Sequence, residues 1–235
     1  MLRRTFLGVS LLAASGGLAY HIKTNSNVIP VGKGCAFLTY FSDGNINAFT
    51  FDRFKRKLRR VNPDEDIIVR IETDGGDYSF SEFIARTLLS MKDSKTIARV
   101  ENRALSGGSM IALCCDEIEM KKGAFLSPCD VQIELENEHV PVSNFIQPDF
   151  YSEVSAEKII EKKGEAIDNE TINNLRSAER IIRGQRNFVK LLRLNGKCEN
   201  NCKTIYDEFF SGKHKHDKFF GIEDLRTMGL KVKEI

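Results

Sequence analysis

Two apolar runs, each stopping abruptly at glycines, constrain this chain more than any other feature. Residues 67–72 (IIVRIE) run into Thr73-Asp74-Gly75-Gly76, and residues 95–100 lead through ENRAL into Ser106-Gly107-Gly108. Runs of this length, rich in Ile and Val and bounded by glycine, predict buried strands. Helical spacing follows each corner. Over 79–91 it puts Phe80, Phe83, Ile84, Leu88 and Met91 on one face; in SGGSMIALCCDE nearly every side is apolar, so Met110, Ile111, Leu113 and Cys114 are expected to be buried. Short strands at 117–120 and 124–126 come next. Strand, helix, strand, helix, strand predicts an α/β fold with a parallel sheet and crossover helices.

The flanks read less sharply. A first strand is expected at 35–41, after a linker from Val28. A helix over 52–61 carries Phe54, Leu58 and Val61 on one side and basic residues on the other, and Asn62-Pro63-Asp64 breaks it. Residues 134–155 are acidic and proline-punctuated, and predict a loop. A short helix over 155–163, capped by Ser155 and ended by Gly164, precedes a long one over 168–195 carrying Ile172, Leu175, Ile182, Phe188 and Leu192. The tail predicts a short helix ending at Gly229 and a last apolar strand.

The 35 basic and 33 acidic residues are interspersed, which gives no argument for nucleic acid as a partner. The amino terminus departs from the rest. Arg3 and Arg4 precede an apolar run over 6–19, with no acidic residue before Asp43. That is the pattern of an export signal of twin-arginine type, or of an uncleaved anchor, and it makes 6–19 the candidate for membrane association. Residues 1–30 are therefore expected outside the fold, and 31–235 form the folded domain, with a core over 35–133 and a helical extension over 150–235. Of six cysteines, Cys114, Cys115 and Cys129 read as small core residues. Cys198 and Cys202, in the polar stretch CENNC, read as a surface loop or a small disulfide. Adding His214 and His216 would make a conceivable zinc set, but the spacing fits no strong pattern, and neither metal nor cofactor is expected.

A serine where a strand turns into a helix is placed for acyl transfer. The helix N-terminus behind Ser106 favours negative charge, and the N–H of Gly107, with that of Gly76 or Gly75, can form an oxyanion hole. On residue type alone, Ser106 is equally well an ordinary helix cap. A serine nucleophile needs a base. Of the four histidines, His21 lies in the export segment, His139 in the acidic loop, and His214 and His216 in the hydrophilic tail. Lys158, Lys162 and Lys163 follow the core motif and are the alternative, although a solvated helix face is the ordinary role of such lysines.

TDGG after a strand, then ALSGGSMIALCCDEI and SPCDVQI, resemble the ClpP/crotonase-like superfamily, most closely signal peptide peptidase A and the serine dehydrogenase proteinase family. The likeness covers 35–133 well and continues more weakly to Gly229-Leu230. It implies a mostly parallel sheet of repeated ββα units with flanking helices, and a Ser–Lys dyad peptidase. It further implies Ser106 as nucleophile, Gly76 and Gly107 as oxyanion donors, and Lys162 or Lys163 as base. Self-assembly into a homo-oligomer is implied too. Where the Clp protease carries its histidine this chain has Cys129-Asp130-Val131, and Ser127 stands where the family's run has glycine.

The expected substrate is an exported peptide or membrane-protein fragment in extended form, added as a strand beside Gly75-Gly76. Two other readings stand beside it: a catalytically inactive scaffold of the same fold, and crotonase-type acyl-thioester chemistry.

Overall fold

The computed structural model describes residues 28–32, 44–61, 65–135, 138–147, 149–152, 155–164 and 167–235. The expected strand at 35–41, the Asn62-Pro63-Asp64 break, His21 and the apolar run 6–19 lie outside these residues. Among the described residues no helix is long and apolar enough to cross a membrane.

The two glycine-stopped runs form the centre of the sheet. Strand β2 (Ile67–Thr73) pairs in parallel with β3 (Thr96–Ala104), and β1 (Val28–Gly32) pairs in parallel with the other edge of β2. Residues 28–30 thus belong to the sheet, a correction to the expectation that the fold starts after residue 30. Strand β4 (Glu117–Met120) continues the sheet beyond β3, β5 (Phe125–Leu126) joins the far end of β3, and β8 (Val232–Glu234) closes the edge beside β4. All five pairings are parallel, in the order β1-β2-β3-β4-β8 with β5 on β3. A two-stranded antiparallel hairpin, β6 (Gln132–Leu135) with β7 (Glu138–Pro141), occupies part of the stretch expected to be loop.

Strand β2 is not buried evenly on both sides. Ile67, Val69, Ile71 and Thr73 are buried, while the alternate residues are half-exposed. Charged side chains from β2, β3, β4 and β8 line up across the sheet: Arg70 with Glu101, Lys121 with Glu101, Arg99 with Glu119, and Lys233 with Glu119. Cross-strand opposite charges support neighbouring strands, and they let one face stay partly wet where a parallel sheet is ordinarily covered.

Helix α1 (Ala48–Leu58) starts earlier than its apolar spacing suggested, because Asn47 accepts from the N–H groups of Phe49 and Thr50. Helix α2 (Tyr78–Leu89) is capped likewise by Asp77. Helix α3 (Gly107–Ala112) is buried throughout, as its composition required. These elements enclose the main core with Phe188, Leu192, Ile205, Tyr206, Phe209 and Phe220 from the carboxyl-terminal third. A second, smaller cluster joins α4 (Ala156–Lys163) to α5 (Asn169–Leu194) through Ala156, Leu175, Ala178 and Ile182, with Val142 and Ile146. Ser155 and Gly164 end α4 as read from the sequence.

The stretch after α5 corrects the sequence reading. Cys202 opens a helix, α6 (Cys202–Phe209), and α7 (Ile222–Thr227) follows before Gly229. Cys198 and Cys202 are 2 % and 6 % exposed, with sulfurs 2.6 Å apart, so they face each other inside the fold rather than on a surface loop. Burial, then the hydrogen bond to Cys202, pushes the Cys198 thiol up. His214 and His216 turn away from them, His214 onto Glu208 and His216 onto Asp130.

Candidate active site

The two corners meet. Ser106 ends the loop after β3 with φ 48° and ψ −114°, and among the described residues no other non-glycine has positive φ. Holding an L-residue there costs about 1–3 kcal/mol, and such strain gathers at functional turns. Gly75 lies directly beneath it. A Cβ on Gly75 would stand 2.8 Å from Ser106 Cβ and 3.4 Å from Oγ, so the serine side chain sits on the bare backbone of the first corner. Gly75 and Gly76 have φ of 113° and 142°, a region that L side chains rarely adopt.

Of the donors expected for an oxyanion, the Gly75 N–H is taken by Thr73 Oγ1, while those of Gly76 and Gly107 are free of the sheet and helix ladders. Ile46 bridges to Gly76, but the bonds run from Ile46 N–H to Gly75 O (2.7 Å) and from Asp77 N–H to Ile46 O (2.8 Å). The Gly76 N–H takes no part in that bridge. Gly107 is the first residue of α3, where an N–H has no intrahelical acceptor. Close packing excludes a side chain at both: a Cβ would lie 2.3 Å from Ile46 O at Gly76, and 2.1 Å from Ser81 Oγ at Gly107.

Hydrogen bonds from neighbouring elements fix the corner. Thr73 Oγ1 accepts from Gly75 N–H (3.1 Å) and donates to the carbonyl of Gly44, while Leu105 N–H donates to Thr73 O (3.0 Å). Ser106 N–H donates to Ser127 Oγ (2.9 Å), and Ser127 N–H donates to Ser109 Oγ (3.0 Å). Ser127 is thus the acceptor for the backbone N–H of Ser106. Cys129 Sγ lies 3.2 Å from Ser106 O; burial first, and then Asp130, push its thiol well up, so it stays neutral.

The expected residues therefore divide. Ser106, Gly75, Gly76 and Gly107 come together. Lys162 and Lys163 form the exposed last turn of α4, and Ser106 Oγ makes no hydrogen bond to any described residue, these two included. Glu157, a carboxylate of the lysine neighbourhood, is held by Arg176 at 2.8 Å. Among the described residues no group of three or more His, Cys, Asp and Glu could hold a metal.

One pairing escaped the sequence reading. His216, assigned to a hydrophilic tail, places Nδ1 2.8 Å from Oδ1 of Asp130, whose side chain is 1 % exposed. The signal that could have found it is Asp130 itself, a carboxylate in the apolar run LSPCDVQI that burial obliges to find a partner.

Comparison with known proteins adds three findings. The pattern of the family described as ClpP-like SDH-type serine proteinase matches residues 45–234. Two uncharacterized proteins of Methanocaldococcus jannaschii are 30 % identical over 177 residues and 29 % over 178, each covering 75 % of this chain. The chain spans little more than half of their length, 55 % and 57 %. Among solved structures, the 1510-N membrane-bound stomatin-specific protease, as a serine-to-alanine variant, superposes with a TM-score of 0.52 at 18 % identity, over 81 % of this chain and 75 % of its own. Its lysine-to-alanine variant with a substrate peptide gives 0.51 at 16 %, over 81 % and 71 %. ClpP1 from Listeria monocytogenes gives 0.51 at 10 %, over 89 % and 91 %. At these identities the superpositions establish the fold, which is ClpP-like as the motifs implied.

Proposed function

Because the chain belongs to the ClpP-like SDH-type serine proteinase family, we propose that it is a serine endopeptidase with Ser106 as nucleophile. The observation that carries this is the strained corner: a positive-φ serine seated on Gly75, with Gly107 opening the helix after it and the Gly76 N–H left out of the Ile46 bridge.

In the proposed reaction Ser106 Oγ bonds to the carbonyl carbon of an extended peptide, and the carbonyl oxygen takes its negative charge between Gly76 and Gly107. The serine proton passes to a neutral lysine amine, Lys162 or Lys163, and from it to the departing amine as the C–N bond breaks. Water then hydrolyses the acyl-enzyme by the same route in reverse. Each oxyanion donor is worth about 10²–10³ in rate. The solved serine and lysine variants of the stomatin-specific protease support this pairing of residue types. Neither lysine is engaged with Ser106 in this structure, and the proposed dyad requires one of them to reach it, in the same copy or from another copy of the proposed homo-oligomer.

The Gly75-Gly76 segment offers the edge beside which the peptide lies. The proposed substrates are exported peptides or membrane-protein fragments, on the ground of the basic and apolar amino terminus. Ser106→Ala is expected to abolish peptide hydrolysis and labelling by a fluorophosphonate probe. A folded variant that cleaves like the parent rules out Ser106 as the nucleophile.

A further inference from the structure

The strip running from β5 to Asp130 is the floor under the nucleophile, and the carboxyl-terminal part of the chain grips it at four points. Leu126 and Phe220 exchange two backbone hydrogen bonds, at 3.0 and 2.9 Å. Cys129 N–H donates to Phe209 O at 2.6 Å, and Gln185 Nε2 donates to Cys129 O at 3.5 Å. The fourth grip is Asp130 with His216, the only one of the four made between titratable side chains. From the same strip, Ser127 Oγ receives the Ser106 N–H and Cys129 Sγ meets the Ser106 carbonyl. Two contacts up and four down leave little freedom for the strip to move without moving Ser106.

Two of the grips, those of Asp130 and Gln185, are incompletely satisfied. Asp130 Oδ2 and Gln185 Oε1 are buried without a hydrogen-bond partner among the described residues. A buried carboxylate with one oxygen unpaired depends strongly on the single donor it has. His216 is that donor, and it comes from 86 positions away.

We propose that Asp130 and His216 form a positioning pair for Ser106: His216, by donating from Nδ1 to the buried carboxylate, locks the Ser127–Cys129 strip and thereby the strained nucleophile corner. This rests on the peptidase reading of Ser106. The role is positional, since the hydrogen bonds of the pair reach Ser106 only through the strip. Neutral and protonated imidazole can both donate from Nδ1, and the charged form pairs more strongly with the carboxylate. The groups that set its state are Asp130, then Asp217; the buried Cys129 thiol lies beside Asp130. Nearby on its own loop are Lys213 and His214, both engaged by Glu208, with Lys215 and Lys218 exposed.

The test uses the full chain, a fluorophosphonate probe, and two variants that separate donor from ring. His216→Ala removes the donor. His216→Asn keeps an N–H at the Nδ1 position. Labelling of Ser106 is expected to slow about ten- to hundredfold in the alanine variant, the scale of a misplaced reacting group, and to recover most of the parent rate with asparagine. Amide hydrogen exchange over residues 106–112 is expected to rise in the alanine variant and not in the asparagine one. The parent rate is expected to inflect as the imidazole titrates, and the asparagine rate to lose that inflection. A folded His216→Ala that labels and exchanges like the parent overturns the pair's role, as does an asparagine variant as slow as alanine. A parent that does not label at Ser106 overturns the peptidase reading and takes this proposal down with it, a result distinct from the other two.

Discussion

The proposed nucleophile and the proposed base sit in differently built parts of the molecule. The Ser106 corner belongs to the main core: Gly76 is packed against the backbone of Ile46; Gly75, Gly107 and Gly108 are packed against the side chains of Ser106, Ser81 and Thr73; and side-chain hydroxyls of Thr73, Ser109 and Ser127 bond the turns. The end of α4 belongs to the smaller cluster, where Ile159 and Ile160 are only partly buried and Lys162 and Lys163 face water. The proposed nucleophile is held in place, and the proposed base is not engaged with it. A family motif is most legible where backbone must approach backbone, because such places tolerate few residue types.

The strongest way to sharpen this contrast is to change both lysines. Lys162→Ala with Lys163→Ala is expected to lower peptide hydrolysis by about 10²–10⁴, the range for a removed general base. It should leave thermal stability within about 0.5 kcal/mol, since both are exposed. Undiminished hydrolysis by the double variant would place the base elsewhere.

Next come glycines at the two ends of the comparison. Gly76→Ala drives a Cβ to 2.3 Å from a backbone carbonyl at φ 142°, and is expected to cost about 4 kcal/mol from overpacking and strain together. Gly164→Ala, at φ 64° with open space around it, should cost only the backbone strain, about 1–3 kcal/mol. Denaturant midpoints compare the two directly. Equal losses would mean that the nucleophile corner is no more tightly packed than the end of α4.

The smallest expected effect is a pH dependence. The hydrogen bond to Asp130 raises the His216 pKa above its ordinary 6.5, against an opposing contribution from burial. A raised folded value means that the ion pair's stabilisation is fully present below about pH 6.5 and is lost as pH rises through the folded value. Parent and His216→Asn melting temperatures should therefore converge as pH rises from 6 to 9. A constant gap would show that the charge on His216 contributes nothing.

The sequence was most readable where neighbours along the chain decide the structure. Strands β2, β3 and β4, helices α2 and α3, and the corners between them follow from apolar runs and glycines. The start of α1 was equally local: Asn47 was available as a cap, but apolar spacing alone drew attention to residue 52 onward. Strand β1 was hidden by its position beside an export-like segment and by Pro30, which argues against a strand. Buried Ile205, Tyr206, Phe209 and Phe210 were hidden by the polar text around them, CENNCKT and GKHKHDK. His216 lacked any local sign, because its partner is a carboxylate far away in sequence. The polar character of 200–216 is a property of composition; the burial of Tyr206 and Asp130 is a property of topology.

That topology bears on when the Ser106 corner can form. Strand β8, helix α6 and Phe220 all lie in the last 34 positions, yet they supply the sheet's edge beside β4, much of the core, and the bridge to Leu126. A chain still being synthesised, or cut before Cys202, carries the whole Ser106 motif but, of the four grips on the strip beneath it, keeps only that of Gln185 on Cys129. The Ser106 corner therefore takes its final shape only once residues 202–235 have docked, well after its own motif has been made.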